Sequence, residues 1–202
     1  MEAKHIVRGY GPLDMFLAEQ RYKTARRQIR FVQQRERILD IGCGSYPFFL
    51  TTVDFSEKYG MDKIVQSDKK VHKENHGITL INYDFENEER FPFQDNFFNV
   101  VTALAVFEHI EPANLVRLHK EIYRILKPGG MYIMTTPAFW TDSLLRFLAK
   151  IRLISNEEIK DHKGNYKHSD ILCILQKANF KKENIKLGYF ELFMNSWTTA
   201  IK

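Results

Sequence analysis

Residues Ile38-Leu39-Asp40-Ile41-Gly42-Cys43-Gly44-Ser45 form an apolar run that breaks at once into a glycine turn. A short apolar run bounded by turn residues fits a buried strand. Gly42 and Gly44 carry no Cβ, so the chain turns tightly there and another group can approach its backbone. A strand ending this way at the carboxyl edge of a parallel sheet leaves a crevice in which ligands bind. This one segment therefore constrains both the fold and the place of a site.

The remaining chain reads as alternating elements. Pro12 to Val32 predicts a helix, with apolar residues on one stripe and many Arg, Lys and Gln elsewhere. Further strands are predicted at Lys58–Asp62, Ile78–Tyr83, Phe98–Leu104 and Met131–Thr136. Helices are predicted at Ala113–Leu126, stopped by Lys127-Pro128-Gly129-Gly130, and at Thr141–Ile154 and Ser169–Ala178. Ile185–Tyr189 and Met194–Ile201 are close enough in sequence to pair as a hairpin. Strand-helix alternation predicts a mostly parallel sheet covered on both faces.

At 202 residues the chain suits one domain. No stretch reaches the ~20 apolar residues of a membrane span. Met1 to Arg8 has no apolar run of signal-peptide length. Cys43 and Cys173 lie far apart, without the spacing of a disulfide framework or zinc site. A cytoplasmic, reducing setting is expected, with no metal. The net charge of +5 comes from scattered basic residues, many beside Glu or Asp, which read as solvated helix faces. His72 and His76, four apart in a polar stretch, read as surface too.

A dinucleotide fingerprint would place a third glycine where this chain has Pro47. Proline removes an amide and adds bulk, which counts against a nicotinamide cofactor. The run instead resembles the first motif of the class I S-adenosylmethionine-dependent methyltransferases, especially the type 11 group. That motif is a strand ending in an acidic residue followed by G-x-G-x-G; Asp40, Gly42 and Gly44 match, and Tyr46 replaces the third glycine. The resemblance extends from Ile38 to Phe180 through Tyr59-Gly60-Met61-Asp62, Asp84-Phe85, the segment Asn99 to Ile110, and Glu121 to Gly130. Asn99 stands where the family more often has Asp.

The resemblance implies a Rossmann-like, doubly wound α/β fold with a seven-stranded sheet and an antiparallel C-terminal hairpin. It implies one methyltransferase domain over 1–202: a helical cover (1–36), a cofactor-binding core (37–136), substrate-side helices and lid (137–182), and the hairpin (183–202). The implied cofactor is S-adenosyl-L-methionine, held by Asp40, Gly42, Cys43, Gly44, Asp62, Asp84, Phe85, Ala103, Leu104 and Ala105. Asp62 is the expected ribose ligand, 22 residues beyond Asp40, with Asp68 as its rival. Methyl transfer from a sulfonium demands alignment more than a dedicated catalytic set. His109, just past the fourth strand, is the candidate catalytic residue; Trp140, His162 and His168 are candidates on the substrate side. The expected acceptor is a small molecule or a glycolipid precursor, lipid- or sugar-linked acceptors being among the options, and no nucleic acid is expected. Two other readings stay open: a non-catalytic cofactor-binding subunit and a nicotinamide-dependent oxidoreductase.

Overall fold

Arg37–Ile41 forms β1, and its last four residues are buried, as a strand covered on both faces requires. In the computed structural model, which describes residues 13–63, 77–85, 87–141, 150 and 162–202, this strand lies near the middle of a seven-stranded sheet. The other strands are β2 (Glu57–Asp62), β3 (Ile78–Asn82), β4 (Phe98–Leu104), β5 (Leu126–Pro137), β6 (Ile185–Phe190) and β7 (Asn195–Ile201). Their order is β3-β2-β1-β4-β5-β7-β6. β1 to β5 run parallel, while β7 is antiparallel to both neighbours, so the predicted hairpin closes the sheet.

Period-two alternation assigns each residue of the strands to a layer. Ile38, Val100 and Ile133 meet Ala25 and Ile29 of helix α1 (Asp14–Ile29), together with Phe49 and Leu50 of the single-turn helix α2 (Phe48–Thr51). Leu39, Val101, Tyr132 and Met134 face the opposite layer, helices α3 (Pro112–Ile125) and α4 (His168–Lys177). α3 buries Leu115, Leu118, His119, Ile122 and Ile125, the spacing of one helical stripe. Pro112 opens it, as the missing N–H costs nothing in a first turn.

His119 fastens α3 to β5. Its Nδ1 lies 2.7 Å from the carbonyl of Leu115, which can only accept, so Nδ1 carries the proton. Nε2 then accepts from the Tyr132 hydroxyl at 3.2 Å. Burial pushes the imidazole pKa down to about 4, keeping it neutral.

Most sequence-based boundaries agree with the structure to within two residues. A larger difference is β5, whose strand conformation begins at Leu126, before the glycine stop. Residues 127–130 loop out between the pairs Phe98–Leu126 and Val100–Met131, with Gly129 at φ +76°. The ladder resumes in register at Met131, where the strand was predicted to start. Most of the predicted helix Thr141–Ile154 lies outside the described residues, as do Asp68, His72 and His76.

Candidate active site

The parallel strands bring the ends of β1, β2, β4 and β5 to one edge of the sheet. Gly42 and Gly44 sit just past β1 with φ of +73° and +70°, the left-handed region that favours glycine. The Gly42 N–H donates to the Met61 carbonyl at 2.7 Å, and the Gly44 N–H donates to Asp62 Oδ2 at 2.7 Å. The turn is thus pinned twice to the end of β2. A Cβ on Gly42 would lie 2.3 Å from Val106 Cγ2, so that glycine is needed for packing. A Cβ on Gly44 would meet nothing within 4 Å, so the turn is open on that side.

Two buried carboxyls flank the turn. Asp62 is 3% exposed, and a carboxylate offers about four acceptor sites, more than the Gly44 amide uses. Asp40 accepts a 2.6 Å hydrogen bond from the Thr102 hydroxyl of β4. Its pKa is pushed up to about 7, chiefly by burial; the Thr102 bond opposes the shift and the Asp62 charge adds to it.

That shift carries a stability consequence with a definite sign. The folded protein retains a proton up to about pH 7, whereas the unfolded chain releases it near the ordinary value, about 4. Folded chains therefore bind more protons between these limits, and stability falls as pH rises through the window. Asp40→Asn keeps an oxygen acceptor for Thr102 and removes the titration. Urea unfolding at pH 5 and pH 8 is expected to show a loss about 2–3 kcal/mol larger in the wild type than in the variant. Equal losses in both would refute the shift.

The other predicted cofactor residues separate by position. Cys43 turns its side chain toward β2, where Gly60 makes room: a Cβ there would lie 2.7 Å from Cys43 Sγ. Asp84 follows β3 and accepts from Lys63 Nζ at 2.7 Å and Asn87 Nδ2 at 2.8 Å. Phe85 is a core residue, edge-on to Tyr83 and Phe91. Ala103 is buried, and Leu104 packs on the α1 layer. Ala105 ends β4 at φ +57°, a strained conformation for alanine, held by its N–H to the Thr135 carbonyl at 3.0 Å. Tyr46 stacks on Phe48, which packs with Phe49 against Tyr22 of α1.

On the far side of β4, Phe107–His109 forms a short 3-10 turn and buries Glu108. Glu108 Oε2 accepts from the Thr136 hydroxyl of β5 at 3.1 Å. The Lys163 N–H donates to the Glu108 carbonyl at 2.7 Å, drawing the segment after His162 over the sheet edge. A small pocket lies there, lined by Glu108, Thr136, Pro137, Ala138, His162 and Asn165, among others. His162 lines it; His109 packs edge-on behind, with ring centroids 5.0 Å apart. His168 instead starts α4 and stacks on Tyr189 of β6, while Trp140 is half-exposed outside the lining. Val106, Thr102 and Thr136 stand out by no feature of the sequence, whereas Glu108 belongs to a Glu-His pair that in the resembling family helps shape the pocket.

Comparison with known proteins bears on this arrangement. The family described as a methyltransferase domain matches residues 39–134, from β1 into β5 and across the glycine turn. Among curated proteins similar to this chain, a demethylmenaquinone methyltransferase of Staphylococcus saprophyticus is 30% identical over 64% of the chain and 60% of its own length. A sterol 4-C-methyltransferase of Caenorhabditis elegans is 29% identical over 72% of the chain and 40% of its own length. The chain thus spans 40% to 60% of the length of these relatives. A solved S-adenosylmethionine-dependent methyltransferase from Mesorhizobium loti has the same fold, with a TM-score of 0.67, 17% identity, and coverage of 92% of this chain and 100% of that one. Among the described residues, no helix is long and apolar enough to cross a membrane.

Two features of this edge fit S-adenosylmethionine: an open glycine turn at Gly44 and a buried carboxyl, Asp62, at the end of the next strand.

Proposed function

We propose that this chain is a methyltransferase acting on a small-molecule acceptor. The observation that carries this reading is the Asp62 carboxylate bound to the Gly44 amide, which joins an acceptor-rich strand end to an open glycine turn. In this reading Asp62 holds the ribose hydroxyls of S-adenosylmethionine, and the backbone of Gly42, Cys43 and Gly44 faces its methionine part. Asp84 and the main chain of Phe85 serve the adenine side, and Ala103, Leu104 and Ala105 form the floor. Asp40 supports the turn from within the sheet, and a cationic ligand at the end of β1 would favour its ionised form. The chemistry supplied by bound S-adenosylmethionine is a methyl group already activated by a sulfonium charge. The protein aligns the partners and keeps water out.

The acceptor belongs in the pocket at Glu108, Thr136 and His162. His109, with His162, stands where a proton leaving an acceptor hydroxyl or carbon would go. Trp140 and His168 remain candidates for the outer substrate side, and all 202 residues act as one domain in the four parts read from sequence. Two relatives named for a sterol and for demethylmenaquinone support an apolar, ring-containing acceptor. A chain with two cysteines far apart in sequence suits a reducing, cytoplasmic setting.

The test is incubation of purified protein with methyl-labelled S-adenosylmethionine and separated cell fractions. Label is expected in the lipid or small-molecule extract. Label confined to protein or RNA would overturn the acceptor class, and binding without transfer to any fraction would favour a non-catalytic subunit.

A further inference from the structure

Glu108, His109 and His162 each offer a ligand atom, and these atoms all lie within 4.8 Å of one another. The carboxylate is 3% exposed. Among the described residues its recorded side-chain partner is a neutral hydroxyl, that of Thr136. Two imidazoles and a buried carboxylate so placed form a converging set of nitrogen and oxygen donors.

The geometry points to a divalent transition-metal site formed by Glu108, His109 and His162. Two imidazoles and one carboxylate suit zinc, iron(II), cobalt(II) or manganese(II), rather than calcium or magnesium, which take all-oxygen sets. Bonds of about 2.0–2.2 Å put neighbouring ligand atoms roughly 3–3.5 Å apart, so the three side chains need to close by about 1 Å. The fold prepares that closure. Glu108 and His109 share one 3-10 turn at the end of β4, and the Lys163 and Gly164 amides both donate to the Glu108 carbonyl, holding His162 beside it. The Thr136 hydroxyl orients the carboxylate from behind, the usual arrangement around a ligating group.

Three protein ligands leave coordination positions open, and the pocket lies on that side, since Glu108 and His162 both line it. An acceptor hydroxyl bound at an open position would be more acidic there, its proton passing to solvent water and its oxygen staying on the ion until the methyl group arrives. His109 would then act as a ligand and not as the base. That role rests on the methyl-transfer reading; binding of the ion does not.

The experiment uses the 202-residue chain without an affinity tag, stripped with chelator, in the absence of S-adenosylmethionine and acceptor. Titration with cobalt(II) is followed by visible absorption, and titration with zinc(II) by calorimetry. One ion per chain is expected, with cobalt bands characteristic of imidazole ligation and a metal-dependent rise in melting temperature. His162→Ala is expected to weaken binding at least tenfold and abolish the melting shift. Glu108→Gln should do the same, and where that buried change impairs folding, the half-buried His162 decides the matter. No stoichiometric uptake, or equal uptake by His162→Ala and His109→Ala, overturns the site. A chain that binds the ion but transfers no methyl group leaves it standing.

Discussion

Asp62→Ala is expected to weaken S-adenosylmethionine binding about 100-fold or more, measured by calorimetry on protein shown by circular dichroism to be folded. In the proposed site this carboxylate accepts from both ribose hydroxyls, and hydrogen bonds to a charged acceptor contribute about 1.5–3 kcal/mol each. Its removal also releases the Gly44 amide, bound at 2.7 Å, and with it the position of the turn. Asp62→Asn keeps one oxygen acceptor but replaces the other with a donor, so a smaller loss, roughly tenfold, is expected. S-adenosylhomocysteine should lose affinity in parallel, because it carries the same ribose. Wild-type affinity in Asp62→Ala would move the ribose ligand elsewhere, with Asp68 the first alternative.

A comparably large effect is expected from Gly42→Ala, but on folding before binding. The residue sits at φ +73°, and its new methyl would lie 2.3 Å from Val106 Cγ2 and 3.3 Å from Cγ1. Left-handed backbone costs an alanine about 1–2 kcal/mol, and forced overpacking typically a further 1–3. A destabilisation of about 2–4 kcal/mol is therefore expected by chemical denaturation. Val106→Ala in the same chain should recover the steric part and leave the backbone strain, a non-additivity that a double-mutant cycle resolves. Gly44→Ala is the contrasting case. With nothing within 4 Å of its Cβ, it should lose only about 1 kcal/mol of stability while hindering the approach of a ligand to the turn. Full stability in Gly42→Ala would mean that Val106 does not pack against the turn as described.

The two predictions divide the labour of the first loop. Gly42 is a packing glycine, fixed by a side chain from the end of β4; Gly44 is a clearance glycine, facing open space. Their spacing in sequence is identical to that of many glycine pairs, and nothing local distinguishes their tasks. The same holds for Gly60, whose missing Cβ accommodates Cys43 from the turn after β1. Tyr46 is a related case. It occupies the position of a third glycine, and its ring stacks with Phe48 in a cluster that α1 helps to build.

What the amino-acid order determined by itself is the set of elements and the position of the glycine turn at one edge of the sheet. Runs of apolar residues of strand length and a glycine turn after the first of them are local signals, dictated by burial period and backbone sterics. They were sufficient for the parallel sheet, the closing hairpin and the turn at Gly42 and Gly44. Only tertiary structure decided which residues face one another across long loops. His162 is 53 positions from His109 in the chain, yet their rings are 5.0 Å apart. Glu108 is buried by β5 and by the segment beyond residue 162. The Asp40 carboxyl holds its proton to about pH 7 only because neighbouring elements strip water from it. Burial, electrostatic coupling and ligand geometry depend on distances between atoms remote in sequence, which folding sets and a linear reading does not contain.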